Sequence, residues 1–247
     1  MNDRDIDEML KGAKVPPGPS VETLGRIARS IAGSMQPVRP LPPRWLLIGA
    51  VSLISSVVAL SGAAGLGFSG ILKMSALERG AVFSVLGILA LAAANEAVNA
   101  MIPGSRRRFS SRGLLMMAII CVAAVFAVSF RDYQTTHFIH AGLVCLGIGL
   151  LHAIPAGLLS WLVLRRGFAV DGVSAGLAAG TLAGLAGVGM LELHCPNFQA
   201  AHLLVWHLGV LVASAGLGAW CGWRATSTSA RRRTPANGDT NSPSESR

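Results

Sequence analysis

Residues 138–164 are FIHAGLVCLGIGLLHAIPAGLLSWLVL, a run without a single Asp, Glu, Lys or Arg. A helix needs ~20 apolar residues to cross ~30 Å of hydrocarbon, so this run can span a bilayer. Pro155 inside it favours a kink or a tilt. Five more apolar runs flank it, and we place the six spans at about 45–66, 80–102, 113–130, 138–164, 173–193 and 202–223. The sequence therefore predicts an all-α polytopic membrane protein with six transmembrane helices.

The composition excludes the other broad classes of protein. The 247-residue chain is 52% hydrophobic and 13% charged, against roughly 25% charged in soluble domains, and its mean hydropathy is +0.55. A soluble protein would lack a polar surface at this composition, and a disordered chain would be poorer in apolar residues. The four cysteines are too scattered for a disulfide framework or a zinc-finger spacing. No nucleophile–base pair or phosphate-binding loop is visible, so we assign no catalytic residue, metal ligand or cofactor.

The basic residues predict the orientation. All of the 21 Lys and Arg except Lys73, Arg79 and Arg131 fall in the N-terminal segment, the second and fourth loops, or the tail. Because cytoplasmic loops carry the excess of Lys and Arg, we expect both termini in the cytoplasm and the spans in a bacterial inner membrane. The net charge of +9 is then a topology signal that also suits contact with anionic lipid, and it requires no direct nucleic-acid binding.

Three parts follow from this topology: a cytoplasmic N-terminal segment (1–44), a six-helix transmembrane domain (45–223) and a tail (224–247). The N-terminal segment has no apolar core of a signal peptide. The tail is rich in Ser, Thr, Asn, Pro and Arg, which is typical of a disordered end, so we expect a disordered cytoplasmic tail.

The N-terminal segment contains two candidate amphipathic helices, one over residues 3–10 and one after Ser20, a candidate N-cap. Their apolar faces consist of Ile6, Met9 and Leu10 in the first and Leu24, Ile27 and Ile31 in the second. Two such small helices cannot bury both faces on each other. They either lie on the membrane surface or bind a partner protein in a groove, and the pattern leaves both open.

One acidic residue lies inside a predicted span. Glu96 is in the second span beside Asn95, and an ionisable group in a membrane is costly unless paired or functional. Pairing with an arginine of 106–108 is the structural interpretation. The functional alternative is a small transporter or ion-conducting protein that uses Glu96, which the lack of an inverted repeat between the halves weakens.

The fifth span carries a stripe of small residues. Gly172, Gly176, Gly180 and Gly184 recur every fourth position. Such a stripe lets two helices approach closely. It predicts either close packing within the chain or a homo-oligomer that uses the same glycines.

Two of the four cysteines can meet in this topology. Cys145 lies about 10 Å into the fourth span from the outer face at 1.5 Å per residue, and Cys195 lies in the outer loop between the fifth and sixth spans. An oxidising outer compartment permits a disulfide or a soft-metal thiolate site there, although a free cysteine is often only a small buried apolar residue. The histidines expected near this pair are His140, His194, His202 and His207.

Several motifs resemble a known family over about residues 1–223. The most specific is LELHCPN at 191–197, followed by His202 and Trp206-His207. The others are SALER at 75–79, MIPGSRR at 101–107, LHAIP at 151–155 and LRRGF at 164–168. The chain resembles the six-span membrane anti-sigma factors called negative regulator of sigma F, which restrain an extracytoplasmic-function sigma factor.

The resemblance implies a function for both ends of the molecule. In that family the cytoplasmic N-terminal segment binds the sigma factor, and two cysteines toward the periplasm are needed for the response to stress such as heavy metals. These positions would be Cys145 and Cys195 here, whereas Cys121 and Cys221 have no counterpart and are expected to be structural. The chain is thus expected to be a non-enzymatic regulator that releases a sigma factor on a thiol-reactive signal.

Overall fold

The computed structural model describes residues 8, 18–34, 41–102, 104–105, 110–135, 138–164 and 171–233, with side chains as far as Ser227. Within these residues the fold is helical, and the one β-type contact is an isolated bridge between Asp132 and Gln199. Six helices are long and apolar enough to span a membrane: Arg44–Leu66, Ala76–Met101, Ser111–Ser129, Phe138–Leu164, Gly172–His194 and Ala200–Ser227. The prediction of an all-α protein with six spans is confirmed.

We number the helices in chain order. They are α1 (Val21–Ser34), α2 (Arg44–Leu66), α3 (Ser69–Lys73), α4 (Ala76–Met101), α5 (Ser111–Ser129), α6 (Phe138–Leu164), α7 (Gly172–His194), α8 (Ala200–His202) and α9 (Leu208–Arg233). A five-residue π-helix, Leu203–His207, joins α8 to α9 and completes the sixth span.

The contacts within the chain divide it into two compact units, residues 1–40 and 41–247. The first unit contains α1. Its helix α1 begins as predicted, because the Ser20 hydroxyl accepts a hydrogen bond from the Thr23 amide at 3.2 Å. Leu24 and Ile27 on the predicted apolar face are about half exposed. The first candidate helix, with Ile6, Met9 and Leu10, lies outside the described residues.

Two ends of spans differ from the hydropathy prediction. Helix α4 begins at Ala76 rather than near 80, because Ser75 and Glu78 form a capping box in which each side chain accepts the other residue's amide. Helix α9 continues to Arg233, so it extends into the segment from 224 that the sequence predicts to be a disordered tail. There the Thr226 and Ser227 hydroxyls donate to backbone carbonyls one turn earlier, within the helix.

Helix α7 lies at the centre of the bundle. It contacts all five other spans, α2, α4, α5, α6 and α9, and 67% of its span is buried, against 22–44% for the others. The small side chains of α7 allow this position, because neighbouring backbones can approach a helix of Gly and Ala closely.

The glycine stripe of α7 packs within the chain. A Cβ atom on Gly176 would overlap the carbonyl of Gly218, and one on Gly172 would overlap the carbonyl of Gly222, both on α9. Gly180 and Gly184 face α9 in the same way. The stripe therefore packs closely within the chain, and a homo-oligomer through the same glycines stays a prediction.

Glu96 is buried in α4, and its neighbour Asn95 ties α4 to the start of α2. The Arg44 guanidinium donates to Asn95 Oδ1 at 2.5 Å. The arginines 106–108, which were the predicted partners of Glu96, lie outside the described residues. The ion-conducting alternative stays an untested prediction.

Three connections meet at one end of the bundle, which we call the cysteine end: residues 67–75, 130–135 and 195–199. The amide of Ala200 donates to the Asp132 carbonyl at 2.5 Å, and the Ser69 hydroxyl donates to the His194 carbonyl at 2.5 Å. These bonds fix the loop that contains Cys195 against its two neighbours.

Candidate functional site

Four potential ligand side chains converge at the cysteine end. Cys145 comes from α6, Cys195 follows α7 directly, His202 ends α8, and His207 ends the π-helix. One ligand atom from each residue lies within 4.8 Å of the corresponding atom of every other. Cys195, His202 and His207 are buried and Cys145 is partly buried. We call this group the Cys2His2 cluster.

The sulfur atoms are close but not bonded. Cys145 Sγ lies 3.5 Å from Cys195 Sγ, and both residues are free cysteines. A disulfide would need about 2.05 Å. Cys195 Sγ lies 3.8 Å from His202 Nε2, so a nitrogen ligand faces the same sulfur.

The end of α7 positions Cys195. The amide of Cys195 caps the helix by donating to the Leu191 carbonyl at 2.6 Å, and Pro196 cannot continue the helix. Gly70 of α3 presses on this turn, since a Cβ there would lie 2.7 Å from the carbonyl oxygens of both Glu192 and Cys195. The thiol is therefore held by backbone packing rather than by a mobile loop.

The π-helix positions the two histidines. His202 and His207 are five residues apart, and in a regular α-helix they would point about 140° apart at 3.6 residues per turn. The wider π-helical turn, in which the Leu208 amide donates to the Leu203 carbonyl, brings their rings to 5.2 Å between centroids. Single π-helical turns inside α-helices are frequent at functional sites.

The buried carboxylate of Glu192 contacts the ring of His207. His207 Nδ1 donates to Glu192 Oε1 at 2.6 Å, and both side chains are fully buried. When His207 is the neutral imidazole that donates from Nδ1 to this carboxylate, Nε2 carries the lone pair. Among the described residues, His207 Nε2 and His202 Nδ1 have no hydrogen-bond partner.

Aromatic side chains surround the cluster. Phe126 of α5 meets the His207 ring edge-on at 6.4 Å, and Trp206 stacks at an angle on Phe138 at 5.5 Å. Gly142 makes room for the Trp206 indole, which a Cβ at that position would overlap. These contacts exclude water from the histidine side of the cluster.

The environment of Cys195 favours its protonated form. The hydrogen bond with Cys145, followed by burial, raises the pKa of the Cys195 thiol above its usual value. At neutral pH this thiol therefore keeps its proton until a cation or a base displaces it.

The other candidates of the sequence analysis lie elsewhere. His194 turns away, with Nδ1 bonded to the Gly67 carbonyl at 3.0 Å, and His140 is exposed on α6. Cys121 and Cys221 are outside the cluster. Ile31 is about half exposed on α1 together with Leu24 and Ile27.

The sequence matches the family described as negative regulator of sigma F over residues 31–227. The chain belongs to this family. The matched region contains all six spans and the whole Cys2His2 cluster, whereas residues 1–30 lie before it. No curated protein and no solved structure matches the chain. The family description is that of a regulator, with a sigma factor as the regulated protein.

Sequence reasoning missed Glu192 and the joint placement of His202 and His207. Glu192 was noted only as part of the family motif LELHCPN. An acidic residue inside an apolar span is itself a candidate functional residue, because it is costly to bury. The two histidines were expected only as neighbours of the thiols, because their spacing matches neither a zinc signature nor one face of an α-helix.

Proposed function

We propose that this negative regulator of a sigma factor is a membrane-bound anti-sigma factor. Its N-terminal segment, residues 1–44, holds an extracytoplasmic-function sigma factor at the cytoplasmic face and releases it when a thiol-reactive signal reaches Cys145 and Cys195 from the periplasm. The family match over residues 31–227 carries this proposal.

The exposed face of α1 supports the binding step. Val21, Leu24 and Ile27 expose 87%, 51% and 48% of their surfaces, which is unusual for apolar residues at helical spacing in a water-exposed segment. A partner protein that receives this face in an apolar groove would cover it.

The distribution of charge supports the orientation. Among the described residues, Lys73, Arg79 and Arg131 are in or beside the connections at the cysteine end, and in the sequence the other Lys and Arg fall in the N-terminal segment, the second and fourth loops or the tail. By the positive-inside rule the thiols then face the periplasm and α1 faces the cytoplasm. A periplasmic reporter enzyme fused after Pro196 would be active and one fused after Ser105 inactive. The reverse pattern would overturn the proposal.

The approach of the two sulfurs supports the signalling step. A two-electron oxidant such as diamide would take two electrons and two protons from the two thiols, leaving a disulfide and a hydrazine. The sulfurs would close by roughly 1.5 Å, from the observed 3.5 Å to a bond. Because Cys195 caps α7 and α7 contacts the five other spans, this shift would change the packing of the central helix.

The binding step is tested with the full-length protein in detergent. Co-purification of a sigma factor, identified by mass spectrometry, should be lost when Ile6, Met9 and Leu10 are all replaced by Ser, and reduced by Leu24→Ser with Ile27→Ser. Ser30→Ala on the same helix is the matched control. If the triple variant and the double variant both retain the sigma factor, the two helices are not its binding site, and the basic loops become the candidate contact.

The signalling step is tested by release of the captured sigma factor. Cys145→Ser and Cys195→Ser should each block release by diamide or by Cd²⁺, and Cys121→Ser should not. An unchanged response in both of the first two variants would remove these thiols from the mechanism.

A further inference from the structure

We propose that Cys145, Cys195, His202 and His207 form a tetrahedral site for one thiophilic d10 cation, such as Zn²⁺, Cd²⁺ or Cu⁺, and that Glu192 positions His207 for it. This deepens the proposed function by naming the chemical class of its signal. The cation site itself needs no sigma factor, so the two proposals can fail separately.

The distances suit a tetrahedral ion. Bonds of about 2.3 Å to sulfur and 2.0–2.1 Å to nitrogen place tetrahedral ligand atoms roughly 3.3–3.8 Å apart. The Cys145 and Cys195 sulfurs are 3.5 Å apart, and Cys195 Sγ lies 3.8 Å from His202 Nε2. All four ligand atoms lie within 4.8 Å of one another, so the remaining ligands need to close by at most roughly 1 Å.

The donor set selects the class of ion. Thiolates favour soft or borderline ions, and two sulfurs with two imidazoles are typical of four-coordinate Zn²⁺, whereas Mg²⁺ and Ca²⁺ require oxygen ligands. Binding a divalent ion converts two thiols into two thiolates and releases two protons to water, with no change of oxidation state. The resulting centre has no net charge, which suits a buried site.

An unsatisfied polar atom points to a ligand. His207 Nε2 is buried without a hydrogen-bond partner among the described residues. Such atoms are rare in folded proteins because each loses its hydration. A cation bound at His207 Nε2 would satisfy that lone pair directly.

Glu192 has the position of an outer partner of a metal-binding histidine. Histidine ligands commonly donate their second N–H to a carboxylate, which fixes the tautomer and the orientation of the ring. Here Glu192 Oε1 accepts from His207 Nδ1 at 2.6 Å. Glu192 also lies one turn before Cys195, so the same end of α7 supports two of the ligands.

The site would join separate parts of the fold. Cys145 belongs to α6, whereas Cys195 caps α7 and the histidines belong to the sixth span. The contact between the two sulfurs in the structure is a hydrogen bond of 3.5 Å. A bound ion would therefore fix α6 to α7 and to the π-helix, which changes the rigidity of the bundle at this end.

The experiment uses the full-length reduced protein in detergent, titrated with Co²⁺ as a spectroscopic probe. We expect one Co²⁺ per chain, with the visible bands of a tetrahedral site and a thiolate charge-transfer band. Zn²⁺, Cd²⁺ and Cu⁺ are then added separately, and the ion that displaces Co²⁺ at the lowest concentration identifies the preferred member of the class. Absence of a tetrahedral Co²⁺ spectrum together with failure of all three ions to bind would overturn the proposal.

The variants separate ligands from neighbours. Cys145→Ser, Cys195→Ser, His202→Ala and His207→Ala should each weaken Co²⁺ binding by at least about 100-fold, and His140→Ala and Cys121→Ser should not. His207→Cys should restore binding and shift the spectrum toward a three-thiolate site, which distinguishes a lost ligand from a misfolded protein. Unchanged affinity in both histidine-to-alanine variants would overturn the four-ligand site.

The role of Glu192 has its own readout. Glu192→Gln should weaken Co²⁺ binding by roughly 10- to 100-fold while the spectrum stays tetrahedral, and Glu192→Asp should recover part of this loss. Equal affinity in wild type and Glu192→Gln would remove Glu192 from the site.

If the ion binds but no sigma factor is captured, the proposed function fails alone. If oxidant releases the sigma factor and no ion binds, this inference fails alone.

Discussion

Glu192 and His207 form a hydrogen-bonded pair of 2.6 Å between α7 and the π-helix, and both side chains are fully buried. They are 15 residues apart and lie on opposite sides of the turn that contains Cys195. The pair therefore closes the hairpin between the fifth and sixth spans, and it does so with groups that are costly to bury singly.

The pair predicts an effect on stability. Glu192→Ala leaves the Nδ1–H of His207 buried without an acceptor, so we expect the free energy of unfolding to fall by on the order of 2 kcal/mol. Glu192→Gln keeps an oxygen acceptor and should lose less. The denaturation midpoint of the metal-free protein in detergent measures both variants, and equal midpoints for Glu192→Ala and wild type would show that the pair is not stabilising.

The spans and the cysteine pair were predictable because the membrane restricts the choices. Runs such as 138–164 have one stable conformation in hydrocarbon, and six of them leave two topologies, which the basic loops distinguish. Within that topology only Cys145 and Cys195 could approach. Topology predicts only that these two cysteines can meet, whereas the 3.5 Å between their sulfurs depends on how α6 packs against the end of α7.

The completed cluster was not predictable from spacing. His202 and His207 share a face only because the backbone widens to a π-helix over Leu203–His207, and no residue type specifies that turn. Glu192 contacts His207 through the tertiary hairpin. The start of α4 at the Ser75–Glu78 capping box was visible in the sequence, but hydropathy alone places the span later.

The Cys195 thiol should respond to pH in a defined direction. Because its pKa is raised, first by the hydrogen bond with Cys145 and then by burial, its thiolate fraction at pH 7 is lower than that of an ordinary cysteine. Its alkylation rate should therefore rise at higher pH than is usual for a thiol, since the thiolate is the nucleophile. In the Cys145→Ala variant, the pH midpoint of the Cys195 alkylation rate should move to a lower pH. Peptide-resolved mass spectrometry after timed alkylation measures this, and a midpoint unaffected by Cys145→Ala would contradict the assigned cause.

The contact between α7 and α9 predicts different effects for two neighbouring glycines. A Cβ on Gly218 would overlap the Gly176 carbonyl and lie 2.8 Å from the Gly180 Cα, whereas a Cβ on Gly216 meets nothing within 4 Å. Gly218→Ala should cost about 1–3 kcal/mol, because backbone cannot move aside cheaply. Gly216→Ala should be neutral or gain about 0.5 kcal/mol from the helix propensity of Ala. Denaturation midpoints in detergent compare the two, and equal losses would show that the packing is not as close as described.

Gly70 offers a test of the cluster that changes no ligand. A Cβ there would lie 2.7 Å from the carbonyl oxygens of Glu192 and Cys195, so Gly70→Ala should push the end of α7 outward and move the Cys195 sulfur and the Glu192 carboxylate together. Because the supporting contacts of a metal site set its geometry, we expect Co²⁺ affinity to fall roughly tenfold. Gly65→Ala, where a Cβ meets nothing within 4 Å, is the control on the preceding helix. If both variants bind Co²⁺ as wild type does, the packing of Gly70 does not position the thiol, and the end of α7 is held by its hydrogen bonds instead.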